Sequence, residues 1–409
     1  MSPRLATAAF GLAAACLWPR AGAAQPSEFT LEEALALARQ QAPTVLEARG
    51  RVAEAQGPVA GASPWLRDNP TLQTEAGPRT RSGGEQSLDW AVGLSQPVEL
   101  GGKRGARLES ARSGLTRESA HQQDTERLVL GEVMATFLRA VHARERRVLA
   151  RAAEDAAQQT AQAAQHRFEA GDVPVVDVHV ARVALARARA EVASTEGEEA
   201  SLLGELRVLL GFTAQQPLGV RGELHSLASQ PLPPMLGGPP RPDLAALEAE
   251  LAQAEADLRL GRSEAWPEVS LGVRYQREAH ESAVLGTLSV PVPLFSRGQE
   301  ARVSGEARVH RLQGVLQAAR RAREVQVEAA LARYRKQQQA VELLEREALP
   351  LLEDNESLAR RSYEAGEMGL AEFLLVRRDV LETRAAYLDS LLQAALARTR
   401  LAVETGALP

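Results

Sequence analysis

The sequence predicts a mainly α-helical chain with a small β part, in which long antiparallel helical hairpins carry four strands. Three observations support this. Landmark residues recur once, at an offset of about 195. Breaker-free stretches far exceed an ordinary globular helix: the only proline between Pro97 and Pro217 is Pro174, and no glycine lies between Gly131 and Gly171. Four short segments instead alternate with period two. Composition agrees, since only 4% of the 409 residues are aromatic. The core must then come from Leu, Val and Ala, which suits closely packed helices.

Forty-eight basic against 53 acidic residues give a net charge of −5. That balance lacks the basic footprint phosphate neutralisation needs, so no nucleic-acid partner is expected. One cysteine excludes a disulfide framework or thiolate metal site, and no run of about 20 apolar residues marks a membrane-spanning helix. Any crossing of a membrane would fall to the strands.

Residues 1–24 read as a secretory signal peptide: Arg4 as basic start, Leu5 to Trp18 as apolar stretch, Ala21-Gly22-Ala23-Ala24 as cleavage site. Lipidation at Cys16 is the alternative, against which Ala13 stands where a large aliphatic residue is wanted. Cleavage near Ala24 would leave a mature chain without cysteine.

Residues 25–211 and 243–409 form two repeats joined by a connection over 212–242. Ala164-Gln165-His166-Arg167-Phe168-Glu169-Ala170-Gly171-Asp172 returns as Ala359-Arg360-Arg361-Ser362-Tyr363-Glu364-Ala365-Gly366-Glu367. Phe168 to Tyr363, Gly171 to Gly366 and Asp177 to Glu372 share the offset of 195. Each repeat follows one plan: helix, two strands, long helix, tip, long helix.

In the first repeat, strands are expected near 70–77 and 88–97, the second with Leu88, Trp90, Val92 and Leu94 on one face. A polar turn over Pro78 to Ser87 joins them. Pro97, Gly101 and Gly102 form the strand-to-helix turn. A helix from Lys103 to Arg167 follows, with Leu130, Met134, Phe137, Val141, Val148 and Ala152 as a coiled-coil seam. The tip lies near 168–174, where Gly171 permits a left-handed turn and Pro174 suits the first position of the returning helix. Seven prolines from Phe212 through Pro242 argue against one regular element there. The second repeat places strands near 268–276 and 283–291, with a turn from Gln276 to Ser282. Its tip lies near 363–370, with Gly369 in place of Pro174, and Pro350 should kink or break its long helix.

Four strands cannot close a barrel, and an open edge in lipid leaves backbone groups unsatisfied. Three copies would supply twelve strands, and the same symmetry would gather twelve long helices into a tube.

Gly101-Gly102-Lys103-Arg104 invites comparison with a phosphate loop, but Pro97 replaces its first glycine and Arg104 its Ser/Thr. The seven histidines, His121, His142, His166, His179, His225, His280 and His310, contain no i, i+4 pair, so no metal site and no cofactor are expected. No nucleophile, base and orienter constellation suggests an enzyme. Trp90 and Tyr275 suit either an interfacial girdle or ordinary hairpin packing.

The chain resembles the TolC family of trimeric outer-membrane efflux channels. The likeness rests on the Phe/Tyr-Glu-Ala-Gly tips, on Arg241-Pro242-Asp243-Leu244 opening the second repeat with Glu248 beyond it, and on Trp266-Pro267 entering a strand. Gln96-Pro97-Val98-Glu99-Leu100-Gly101-Gly102-Lys103-Arg104 is similar to the heavy-metal (CzcC-like) branch. The resemblance implies a homotrimer in the outer membrane of a Gram-negative bacterium: a transmembrane β-barrel in outer-membrane lipid above a large periplasmic α-barrel. It implies coupling through a periplasmic adaptor (membrane fusion) protein to an inner-membrane pump of the resistance-nodulation-division type, and export of heavy-metal cations. Drugs or other small solutes are the alternative cargo. A periplasmic coiled-coil adaptor is the rival class, but it would carry one hairpin rather than two.

In that family's plan, Phe168, Ala170, Gly171, Pro174, Tyr363, Ala365, Gly366 and Gly369 are the adaptor-docking tips. Asp177 and Glu372 are candidates for a carboxylate ring at the aperture, with Arg182, Arg377 or Arg378 as ion-pair partners. The simpler reading makes both carboxylates complements of a helix dipole.

Overall fold

In the computed structural model, which describes residues 28–80, 82–84, 86–230, 241–279 and 281–408, the chain enters its first helix through a capping box. The Thr30 N–H donates to Glu33 Oε2 at 2.8 Å and the Glu33 N–H donates to Thr30 Oγ1 at 3.3 Å, satisfying two otherwise orphaned amides. The expected signal segment 1–24, with Cys16, lies outside the described residues, as do His280 and residues 231–240 of the connection.

A short strand β1 (Glu28–Phe29) precedes α1 (Leu31–Gln41), α2 (Pro43–Glu54) and α3 (Gln56–Ala62). Strands β2 (Thr71–Thr80) and β3 (Gln86–Val98) lead into α4 (Lys103–Glu169) and α5 (Val175–Leu210). The connection holds β4 (Gly219–Val220) and α6 (Leu224–Ala228) before α7 (Pro242–Ser263). Then come β5 (Val269–Glu278), β6 (Glu281–Ser289), α8 (Gln299–Leu343), a π-helical turn (Leu344–Ala348), α9 (Leu349–Glu364) and α10 (Leu370–Thr405). Helix α4 has 67 residues, about 100 Å at 1.5 Å per residue, so the strands and the tips stand at opposite ends of a rod.

The four long strands form one antiparallel sheet in the order β2-β3-β5-β6. The repeats therefore meet at β3 and β5, and β2 and β6 are left as edges. Both hairpins are longer and their turns tighter than alternation alone suggests. Pro78, Arg79 and Thr80 stay in strand, opposite Leu88, Ser87 and Gln86, because Arg79 is anchored to Asp89 on the adjacent β3 and to Glu278 on β5 beyond it. In the second hairpin Glu278 pairs with Glu281, and Ala279 takes a positive φ of 52°.

Pro97 belongs to β3 rather than to the turn after it. It pairs with Ser270 of β5 beyond the last β2 contact at Ser95, so its missing N–H falls where β3 has a single neighbour. Gly101 and Gly102 form the turn proper, with φ of 71° and 78°. A side chain at Gly101 would strike Trp266, whose ring atoms lie 2.7 Å from an added Cβ, so the second repeat's tryptophan caps the first repeat's turn. The two basic residues that follow these glycines are engaged within the chain and offer nothing to a phosphate. Lys103 Nζ meets Glu268 at 3.2 Å, while Arg104 donates to the Ser63 carbonyl at 2.7 Å and stacks on Trp65.

The main core sits midway along the rod, where Leu35 and Val45, Val133, Phe137 and Val141, Leu206 and Leu210, Leu224, and Leu391 meet from α1, α2, α4, α5, α6 and α10. The connection covers this core through Leu218, Val220 and Leu224, with β4 parallel to β1, and Pro242 starts α7 rather than ending the connection. Of the expected coiled-coil seam, Leu130, Met134, Phe137 and Val141 are buried, whereas Val148 and Ala152 are exposed. A 3.6-residue helix drifts from a strict heptad, and the buried stripe passes to Ala143, Ala150, Ala161 and Ala164.

Pro350 acts upstream of itself. Its ring cannot supply an amide to the preceding turn, and that turn opens into the π-helical segment Leu344–Ala348. Arg241, opening the second repeat, is buried and holds Asp243 through two 2.8 Å bonds and Glu404 through one of 2.8 Å. This clasp ties the start of α7 to the end of α10.

Candidate functional site

The sheet has two unlike faces. Directly opposed residues of antiparallel strands share a face, so the register groups Leu72, Leu94, Val273 and Gly286, then Thr74, Val92, Tyr275 and Val284. Leu88, Trp90, Leu271 and Leu288 extend this apolar side, and all four are exposed. Trp90 and Tyr275, each 37% exposed, pack on one another with ring centroids 5.3 Å apart. The other side carries Gln73, Glu75, Arg79, Asp89, Ser95, Arg274, Gln276, Glu278 and Thr287. Exposed apolar side chains in so continuous a band are foreign to a water-facing surface. Among the described residues no helix is long and apolar enough to cross a membrane.

At the far end, the two tips share one backbone device. The Asp172 N–H donates to the Arg167 carbonyl at 2.8 Å and the Gly171 N–H to the Phe168 carbonyl at 3.0 Å. Glu367 to Ser362, 2.9 Å, and Gly366 to Tyr363, 3.1 Å, repeat it. These are paired Schellman closures, with Gly171 and Gly366 at φ of 86° and 76°. Pro174 stands at the N-cap of α5 rather than inside its first turn, at φ −72° and ψ 156°; Gly369 holds the same place before α10, at −75° and 155°. Both pairs of angles suit proline, so Gly369 is not there for conformational freedom.

The tip aromatics differ. Phe168 is 40% exposed, while Tyr363 is half-buried and stacks on Phe373 at 4.8 Å, with Arg167 of the first tip over its ring at 5.5 Å. Phe373 was invisible to repeat matching, because its first-repeat counterpart is Val178. The one available signal was an aromatic in a chain with so few. Ala170, Gly171, Ala365 and Gly366 are all exposed at the ends of the hairpins. Behind the tips, α4, α5 and α10 enclose an open groove of about 900 Å³ lined by Val176, Val180, Val183, Leu374, Leu375 and Leu381.

Asp177 and Glu372 each occupy the third position of a helix, behind Pro174 and Gly369, neither of which offers a side-chain oxygen for a capping box. Asp177 is half-buried and Glu372 exposed. The arginines expected to pair with them are engaged elsewhere within the chain. Arg182 donates to Gln165 at 3.2 Å, Arg378 lies 3.5 Å from Asp379, and Arg377 donates to the Ala156 carbonyl at 3.2 Å and Thr160 Oγ1 at 3.3 Å. Burial holds the Arg377 guanidinium below its usual pKa. Histidines meet single carboxylates, as in His142 to Asp389 at 2.7 Å and His225 to Glu345 at 3.3 Å; among the described residues no group of three metal-ligating side chains forms.

A membrane-suited sheet at one end of a helical rod and twinned hairpin tips at the other define the class of outer-membrane efflux channels. The chain belongs to the outer membrane efflux protein family, whose model matches residues 34–212 and 240–407. It is 30% identical over 411 residues to the cobalt-zinc-cadmium resistance protein CzcC of Cupriavidus metallidurans, covering 98% of this chain and 95% of that protein. The nickel-cobalt-cadmium resistance protein NccC of Alcaligenes xylosoxydans xylosoxydans is 28% identical over 305 residues, 74% of this chain and 68% of that one. The fold is similar to that of CusC, solved in a study of folding and transmembrane channel formation, with a TM-score of 0.75, 18% identity and 95% of each chain covered. The family is one of channels rather than enzymes.

Proposed function

We propose that three copies of this chain form one passive export channel for heavy-metal cations. The open sheet carries the argument. Strand directions alternate along β2-β3-β5-β6, so β6 of one copy runs antiparallel to β2 of the next. Repeating the sheet therefore closes an all-antiparallel barrel of about twelve strands with no exposed edge. The apolar face then meets outer-membrane lipid, and the polar face lines a water-filled lumen. The rods form the periplasmic tube below. The likeness to CzcC and NccC, both named for resistance to divalent metals, supports the cargo.

The tips, Phe168, Ala170, Gly171 and Pro174 with Tyr363, Ala365, Gly366 and Gly369, dock a periplasmic adaptor that couples the channel to a resistance-nodulation-division pump. The exposure of all of them but Tyr363, and the apolar groove behind them, support this reading. Asp177 and Glu372, at matching positions behind the two tips, ring the periplasmic mouth with about six carboxylates and favour cations there.

Single-channel recording tests the ring. Asp177→Asn with Glu372→Gln is expected to lower cation preference, most at low salt, where the Debye length grows from about 10 Å at 0.1 M to about 30 Å at 0.01 M. Carboxylates that only complement helix dipoles contribute about 0.3 to 1 kcal/mol and leave permeation alone. Unchanged reversal potentials in an intact trimer therefore reject the ring.

A further inference from the structure

The apolar face of the sheet has a sharp limit at the end far from the rod. Ala76, Trp90, Arg277 and Ser282 share one row, and Arg277 brings charge onto that face beside the paired rings of Trp90 and Tyr275. From there to Val98 and Val269, at the rod end, the rows on this face carry no charged residue. Gln96, the amide among them, turns its Nε2 to the Asp68 and Pro97 carbonyls at 2.8 and 2.9 Å. Trp90 and Val98 are eight residues apart, about 26 Å along the strand at about 3.3 Å each. At the tilt of about 40° usual in outer-membrane barrels this crosses only about 20 Å, whereas the apolar band of such a barrel is about 25 Å tall. The strands therefore stop about 5 Å short of the band's rod-side edge.

What lies in that gap is the set of junctions between strands and helices, because all four long strands begin or end at this level. Each junction exposes a large apolar side chain: Trp65 before β2, 82% exposed; Leu100 after β3; Trp266 before β5, 60% exposed; and Phe295 after β6, 90% exposed. Outside the expected signal segment the chain has three tryptophans, of which two stand here and the third, Trp90, marks the opposite limit. The two junction tryptophans are held in place rather than folded into the core. Arg104, fixed by the Ser63 and Pro64 carbonyls at 2.7 and 3.2 Å, stacks on Trp65 at 4.2 Å, and Trp266 lies against Gly101. Charged residues return in the same segments, at Arg67, Asp68, Glu99 and Glu268, as they must where the chain leaves hydrocarbon. An indole with an apolar body and a polar N–H suits the boundary between acyl chains and headgroups better than either side of it.

We infer that Trp65, Leu100, Trp266 and Phe295 form a collar seated at the headgroup boundary of the phospholipid leaflet that faces the periplasm. Trp90 and Tyr275 form the opposite girdle. The junctions, rather than the strands, then fix how deep the channel sits in the membrane. The inference rests on the proposed reading in which the apolar face of the sheet meets lipid.

The test is quenching of tryptophan fluorescence by lipid. The assembled full-length protein is reconstituted in phosphatidylcholine vesicles brominated either beside the carbonyls or near the chain ends. Variants keep one tryptophan each, the others being changed to phenylalanine, and a further variant carries Val273→Trp alone as a mark of the bilayer interior. Trp65 and Trp266 are expected to be quenched about twofold more by bromine beside the carbonyls than by bromine near the chain ends, and Val273→Trp the reverse. If Val273→Trp is quenched but either junction tryptophan escapes both lipids, that residue faces water or a neighbouring copy and the collar is overturned. Stronger quenching of Trp65 or Trp266 by bromine near the chain ends overturns it too. Should the multiple variants fail to assemble, Trp65→Phe and Trp266→Phe decide singly: each is expected to reduce quenching by the carbonyl-side bromine, and quenching equal to wild type in both overturns the inference. If Val273→Trp itself escapes both lipids, the apolar face does not meet lipid, which defeats the underlying reading and the inference with it.

Discussion

Val273→Arg is expected to abolish assembly in the outer membrane. Val273 lies midway along β5 on the apolar face, 59% exposed in the single chain and flanked by Leu94 and Gly286. An arginine facing lipid near the bilayer midplane costs about 2–4 kcal/mol, and a barrel of three chains carries three of them, about 6–12 kcal/mol together. That rivals the whole stability of an ordinary domain, about 5–15 kcal/mol. Thr287→Arg is the matched control, since Thr287 pairs with Gly272 on the opposite face and would project into the lumen. The yield of heat-modifiable trimer from outer membranes reports both. Wild-type yield of Val273→Arg would show that this face does not meet lipid.

The second large effect is expected at the tips. Gly171 and Gly366 sit at positive φ with open space around an added Cβ, so substitution strains the backbone alone. Valine at both should cost about 1–2 kcal/mol per tip and refold the turns. Crosslinking to the adaptor and metal efflux should fall sharply, while a barrel about 100 Å away still assembles. Gly369→Pro is the contrasting change. Its φ of −75° already suits proline, and the substitution should be tolerated or stabilise by about 0.4–1 kcal/mol. Full efflux in the double valine variant would reduce the tips to simple turns.

Much of the fold was legible because it is duplicated. Recurrence of Glu-Ala-Gly at one offset located both tips, and alternation around Trp90 and Tyr275 located the sheet. What escaped was non-local. Nothing in local pattern says that Arg79 will anchor to Glu278, yet that anchor carries β2 through Pro78. Pro97 reads as a breaker until one knows that β2 ends before it. Gly298, which starts α8 at φ 71° as Gly102 starts α4, went unmatched because the residues around it differ. The Tyr363 and Phe373 stack needed the packing of α9 against α10, and the drift of the α4 stripe needed its neighbours. Among the site residues, Asp177 and Glu372 do lie in the first turns of their helices, but the arginines expected beside them have nearer hydrogen-bond acceptors.

Mass in detergent tests the central claim most directly. Multi-angle light scattering on protein extracted from outer membranes, corrected for bound detergent, should give three chains per particle, because a four-stranded sheet with two free edges cannot stand alone in lipid. A monodisperse single chain, soluble in water without detergent, would contradict the account.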